Sequence, residues 1–276
     1  MNYIVGFFDG FKEVKLQYRF YPGKNSASRI IFLHGAGEYS EKYTRFAEWF
    51  AGRDVDVFLL DLRGHGASGG PVCHVQNFNE YAQDLDIFVR FVDKGWEHKK
   101  TFLIAHSLGG LIAMFYSLNF SYAFDGVVAC SPCLGLRLKV EPIRNWLALF
   151  FNKFLGDKPF SSHIKPIMAT HDRYILKKFR KDPLIHHIVT ASFYVQMRFA
   201  MRYLAEHAHD FKKPILILQA GDDKICDAGA TERFYNAVGS SDKKFKVYPG
   251  FYHELLNEVK KEEPYSDIFN WIKERT

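Results

Sequence analysis

Apolar and polar positions follow two different periods along this chain, and the switches between them divide it into strands and helices. Tyr3 to Phe8 and Val14 to Tyr21, broken at Asp9–Gly10, predict an antiparallel hairpin at one edge of a sheet. Short runs at Arg29–Leu33, Val55–Leu60, Thr101–Ala105 and Asp125–Ala129 are apolar almost throughout, the pattern of strands covered on both faces. Between them, Glu41–Gly52 carries Tyr43, Phe46, Ala47 and Phe50 at helical spacing. A longer stretch, opening at Asn77 or Asn79 and running through Asp93, does the same with Tyr81, Leu85, Phe88, Val89 and Val92. This rhythm predicts an α/β fold built on a doubly wound, mostly parallel sheet.

At Leu134 the rhythm stops. Through Phe211 there is no clean strand, only helical pieces rich in aromatic and basic residues. Pro214–Gln219 then resumes the sheet, Asp227 caps a helix over Ala228–Val238, and Lys243–Tyr248 supplies the last strand. The organisation expected is a core over 1–133, an inserted helical cap over 134–211, and the rest of the core over 212–276. Within the insertion, Pro142–Leu155 gathers Trp146, Leu147, Leu149, Phe150, Phe151 and Phe154 between Arg144 and Lys153. Such a helix packs on the core, lines a greasy pocket or dips into a bilayer interface.

Candidate chemistry collects where strands end, because parallel sheets gather their active groups on that rim. Thr101–Ala105 runs into His106–Ser107–Leu108–Gly109–Gly110 and then an apolar helix, so Ser107 stands at the tip of a strand–turn–helix junction. Alone, that serine reads equally as a buried structural hydroxyl. The amide of Leu108 opens the helix and faces an arriving carbonyl oxygen. Gly109 is expected where a Cβ would collide with a neighbouring element, and Ala105 stands in place of the first glycine of a G-x-S-x-G pattern. After Arg29–Leu33 comes His34–Gly35–Ala36–Gly37–Glu38, whose glycines permit close backbone approach and make Ala36 the candidate second oxyanion donor. The loop with Arg63 and His65 reads as a brace for the floor of the site.

Asp223 and His253 follow the last two strands. A serine hydroxyl is a weak nucleophile at neutral pH, so His253 would take its proton and later return it to the leaving group. Asp223 would fix the imidazole tautomer. Of the rival histidines, His106 is expected to point away from Ser107, and His34 to brace the glycine turn.

The remaining composition narrows the setting. With 276 residues, 47% of them apolar, the chain can bury a full core. Cys73, Cys130, Cys133 and Cys226 are too few for a disulfide framework and read as free thiols. Cys226, three residues after Asp223, is expected near enough to the pocket for a bulky thiol reagent to slow the enzyme. Met1 to Leu16 has neither a basic n-region nor a long apolar run, so a cytoplasmic protein is expected. Of the net charge of +6, the stretch from Leu134 to Lys212 holds fourteen lysines and arginines against six aspartates and glutamates. That surplus suggests peripheral docking on an anionic membrane, and no nucleic acid partner is expected.

Six motifs then combine: His34–Gly35–Ala36–Gly37–Glu38, Asp61–Leu62–Arg63–Gly64–His65–Gly66–Ala67–Ser68, His106–Ser107–Leu108–Gly109–Gly110, Asp182–Pro183–Leu184, Gly221–Asp222–Asp223 and Gly250–Phe251–Tyr252–His253–Glu254. Together they span nearly the whole chain, which resembles the monoacylglycerol lipase and lysophospholipase group of α/β-hydrolases, also labelled serine aminopeptidase S33. The resemblance implies an ester hydrolase using no metal and no cofactor, whose cap shapes a tunnel for an acyl chain. The expected function is hydrolysis of a single-chain lipid ester, a monoacylglycerol or lysophospholipid, through an acyl-enzyme. A general carboxylesterase is an alternative. Peptidase or amidase action would use the same triad, but no acidic pair is placed to grip a free amino terminus. A non-catalytic ligand-binding fold is the third reading, and the presence of all three triad residues argues against it.

Overall fold

The computed structural model describes residues 2–137 and 156–276. Numbered in chain order, eight strands form one sheet: β1 (Ile4–Asp9), β2 (Lys15–Tyr21), β4 (Val55–Leu60), β3 (Ser28–Leu33), β5 (Lys100–His106), β6 (Gly126–Cys130), β9 (Ile215–Ala220) and β10 (Lys243–Tyr248), in that spatial order. β1 and β2 pair antiparallel, as do β2 and β4; from β4 to β10 every neighbouring pair is parallel. The fold is that of an α/β-hydrolase.

The period of two along each central strand sorts side chains onto opposite faces. Ile31, Leu33, Leu103 and Ala105 enter one apolar cluster with α2 (Asn79–Gly95), α3 (Leu108–Asn119), α5 (Ala191–His207) and α6 (Ala228–Ala237). Ile30, Phe32, Phe102 and Ile104 enter another with α1 (Thr44–Ala51) and α7 (Glu262–Lys273). Each such leucine, isoleucine or phenylalanine contributes roughly 1.5–3 kcal/mol by leaving water, which makes the sheet a rigid base for the loops on its rim.

Two local expectations change. The stretch expected as one helix over Glu41–Gly52 is a 3-10 turn, Ser40–Tyr43, followed by α1, with Tyr43 at ψ 16° between them. Lys42 and Tyr43 in that turn both reach Glu38. Between β6 and β9, where no strand was expected, β7 (Pro159–Ser161) pairs antiparallel with β8 (Ile188–Thr190). Three-residue strands are too short to show an alternation. The same stretch holds α4 (Arg173–Phe179). The expected helix over 142–155 lies outside the described residues. Asp227 caps α6 by accepting the amide of Gly229 at 2.9 Å.

Candidate active site

Ser107 joins β5 to α3 with φ 52° and ψ −114°, a conformation unusual for a residue with a Cβ. Close packing enforces the turn. A Cβ on Gly109 would lie 2.4 Å from the carbonyl oxygen of Leu33 and 2.7 Å from that of His34. Ala105, fully buried, sits in register with Leu33 and Ala129, and its methyl is accommodated beside that small neighbour.

The structure brings Ser107, His253 and Asp223 together. His253 Nε2 lies 2.8 Å from Ser107 Oγ, and His253 Nδ1 lies 2.7 Å from Asp223 Oδ2. A carboxylate only accepts, so the ring proton sits on Nδ1 and Nε2 is free to accept from the serine hydroxyl. Asp223 Oδ1 takes the amides of Ile225 and Cys226, each at 2.9 Å. Burial works to raise this carboxyl, but the charge and hydrogen bond of His253 and those two amides outweigh it and hold it below its usual value. Burial likewise pulls the His253 imidazole down, and Asp223 overcomes this and holds it up.

Leu108 follows Ser107 in the chain, and Ala36 lines the same cavity as Ser107. Leu108 is the first residue of α3, so its amide lacks an intrahelical partner. Ala36 lies in the turn after β3, which His34 braces. The Leu62 amide donates to His34 Nε2 at 3.0 Å, which leaves Nδ1 to donate to the carbonyl of Gly35 at 2.7 Å. Arg63 turns inward to Asp84 and Glu80, and His65 Nδ1 to the carbonyl of Arg63.

His106 does not point away from the site. Its ring centroid lies 4.7 Å from that of His253, and its Nε2 is 3.8 Å from Glu38 Oε1. As the last residue of β5 it projects on the side where the His253 loop crosses the rim. Burial, aided by the neighbouring His253, pushes it down to about 3, so it is neutral.

Several residues at the site escape sequence reasoning. Glu38 accepts from the Gly35 amide and the Tyr43 hydroxyl, both at 2.7 Å, and pairs with Lys42, which also pairs with Glu254. The only sequence signal is a glutamate and a lysine four apart beyond a glycine turn. Gln219, fully buried on β9, donates its amide to Asp223 Oδ2 at 3.4 Å. Reversing that amide would set its oxygen against the carboxylate.

The neighbouring Cys133 thiol and burial push the Cys226 thiol well up. It is only 1% exposed, so it is close to the pocket as expected but closed to a bulky reagent. The ligating atoms of Asp223, Cys226 and His253 lie within 4.8 Å of one another. Those of Asp223 and His253 are already committed to each other and the thiol is held protonated, a poor donor set for a resident metal.

Above Ser107 opens a cavity of about 130 Å³. Gly35 to Glu38, Lys42, His106, His253 and Glu254 line it at the rim; Ile164, Ile175, Phe179, Ile185, Ile188 and Val189, from the segment between β6 and β9, line it with apolar surface. Arg180, His186 and His187 stand among them. No helix among the described residues is long and apolar enough to cross a membrane.

The profile of the serine aminopeptidase S33 family matches residues 24–260. Among curated proteins, the chain is 29% identical to phospholipase YtpA of Bacillus subtilis, over 85% of this chain and 90% of that one. It is 28% identical over 92% of its length to an uncharacterized abhydrolase domain-containing protein of Dictyostelium discoideum, but spans only 27% of that longer protein. Among solved structures, a monoacylglycerol lipase of Paleococcus ferrophilus superposes with a TM-score of 0.86 at 25% identity, covering 95% of this chain and 99% of that one.

Proposed function

Since the chain belongs to the serine aminopeptidase S33 family and is a carboxylic ester hydrolase, we propose that it cleaves single-acyl-chain lipid esters on Ser107 through an acyl-enzyme. His253 Nε2 takes the hydroxyl proton as Oγ attacks the acyl carbonyl. The developing oxyanion is held by the amides of Ala36 and Leu108, on the order of 3 kcal/mol for each donor. His253 then hands the proton to the leaving alcohol oxygen. Water, deprotonated by the same imidazole, releases the acid. Asp223 keeps the ring in the tautomer that leaves Nε2 free.

The observation that carries this reading is the pair of contacts at 2.8 and 2.7 Å opening into a largely apolar cavity. In this reading residues 134–211 form the cap over the acyl chain. A monoacylglycerol or a lysophospholipid fits, in keeping with the names of the relatives. A fluorophosphonate should label Ser107 in the native chain and leave Ser107→Ala unlabelled. Turnover across p-nitrophenyl esters should favour medium or long chains, and preference for acetate would remove the lipid substrate. Exposed Lys165, Arg173, Lys177 and Lys181 near exposed Ile167 and Tyr174 support docking on an anionic membrane. Equal cosedimentation with anionic and zwitterionic vesicles would remove that part.

A further inference from the structure

A contact between the acyl cavity and the loop of Ala36 takes no part in the chemistry above. Tyr39, 3% exposed, donates its hydroxyl to Asp182 Oδ2 at 2.7 Å across 143 residues of sequence. The other oxygen of Asp182 accepts the amide of Leu184 at 2.9 Å, so one carboxylate ties this loop to the turn after α4. The same two segments meet again where the His186 amide donates to the carbonyl of Gly37 at 2.8 Å. Gly37 has φ +73°, and a Cβ there would stand 2.2 Å from the carbonyl oxygen of His186. The Tyr39 ring packs edge-on to Phe179, in an apolar cluster with Ile175. From the core side, the Gly35 amide is held by Glu38 at 2.7 Å. Ala36 therefore lies between two grips, one built by the core and the other by residues of the cavity-lining segment. Burial and the Asp182 hydrogen bond push the Tyr39 phenol far up, so it stays a donor at any working pH.

We propose that Tyr39 and Asp182 are positioning residues for the Ala36 amide, a latch by which the segment lining the acyl cavity orients the loop that receives the oxyanion. The inference rests on reading Ser107 as nucleophile and Ala36 as oxyanion donor. An oxyanion donor acts only near 2.7–3.1 Å from the developing charge, and a misplacement of about 1 Å can lower the rate on the order of 10²-fold. The oxyanion exists in the transition state and not in the bound substrate. Loosening the latch therefore lowers kcat and leaves KM nearly unchanged.

The test compares Tyr39→Phe, Asp182→Ala and the double variant on a medium-chain p-nitrophenyl ester, with an alkyl boronic acid as mimic of the tetrahedral state. Each single variant is expected to lower kcat about tenfold, with KM within about twofold, and to weaken the boronate by a similar factor. The double variant should do no worse than Asp182→Ala alone, because Tyr39→Phe removes only a bond that Asp182→Ala has already removed. Thermal unfolding should move little in Tyr39→Phe, whereas a merely structural hydroxyl would show in the melting temperature and not in kcat. A kcat within twofold of the native value, a loss confined to KM, or losses that multiply in the double variant would overturn the proposal. Should Asp182→Ala fail to fold for want of its bond to Leu184, Tyr39→Phe decides alone. Fluorophosphonate labelling separates the two levels. If Ser107 is unlabelled in the native chain, the hydrolase reading fails; if it is labelled and Tyr39→Phe turns over normally, only the latch fails.

Discussion

The ammonium of Lys42 lies 2.5 Å from Glu254 Oε1, and 3.0 Å from Glu38 Oε2, so one buried cation joins the loop after β3 to the loop that carries His253. Burial works against that charge, yet the two carboxylates outweigh it and hold the ammonium well up. Replacing it leaves two buried carboxylates facing each other. Removing one partner of a buried ion pair typically destabilises by about 3–5 kcal/mol. For a chain of this size Lys42→Met is expected to lower the melting temperature by roughly 6–20 °C. Burial already raises the Glu254 carboxyl, and without Lys42 it is the group that takes up a proton. The deficit should therefore narrow as pH falls from 8 toward 5. Calorimetry of both proteins at the two pH values checks this; a deficit that is absent, or that widens in acid, contradicts it.

With His253 as the proposed general base, the pH dependence of turnover follows from its imidazole. Asp223 holds its imidazole above the ordinary value of 6.5 in spite of burial, and only the neutral ring accepts the Ser107 proton. The acid limb of kcat/KM is expected above 6.5, with activity rising through it. Stability runs the other way. A raised folded-state value means that the contribution is complete below the unfolded value and is lost as pH rises through the folded one. Over that window activity climbs while this part of the stability drains away. In Asp223→Asn the limb should move down, kcat should fall about 10⁴-fold, and that slope in stability should flatten. A limb that stays in place in Asp223→Asn would show that some other group sets it.

How much of this is legible in the sequence depends on the reach of each signal. Strands of a parallel sheet end on one rim, so locating the apolar runs before Ser107, Asp223 and His253 is enough to bring them to one edge. The glycines beside Ala36 and Ser107 mark the turns for the same reason: the backbone approaches closely there. The contacts that hold these groups in place leave no such trace. Lys42 meets Glu254 across 212 residues and Tyr39 meets Asp182 across 143, with neither pair bound by any period. The position of His106 against His253 depends on how the last loop crosses the rim, which no local pattern encodes. β7 and β8 are too short to alternate.

Gly109 tests whether the junction after β5 and the Ala36 loop, proposed to receive the oxyanion, are one packed unit. Its missing Cβ would meet the carbonyl oxygens of Leu33 and His34, backbone atoms at the end of β3. A flexible side chain could swing aside, but β3 is paired on both edges, to β4 and to β5. In Gly109→Ala the relief must come from displacing the end of β3, and with it the turn that carries Ala36, away from Ser107. Two effects on stability oppose each other. Alanine gains up to about 1 kcal/mol over glycine inside a helix, whereas overpacking costs about 1–3 kcal/mol. The net change in melting temperature is therefore modest, and the larger effect falls on kcat, with KM less affected. Gly95, at the end of α2, supplies the contrast: a Cβ there meets nothing within 4 Å. Gly95→Ala should leave kcat unchanged and the melting temperature equal or slightly higher. Measuring both variants side by side separates helix propensity from packing, and a native kcat in Gly109→Ala would show that the end of β3 yields without moving Ala36.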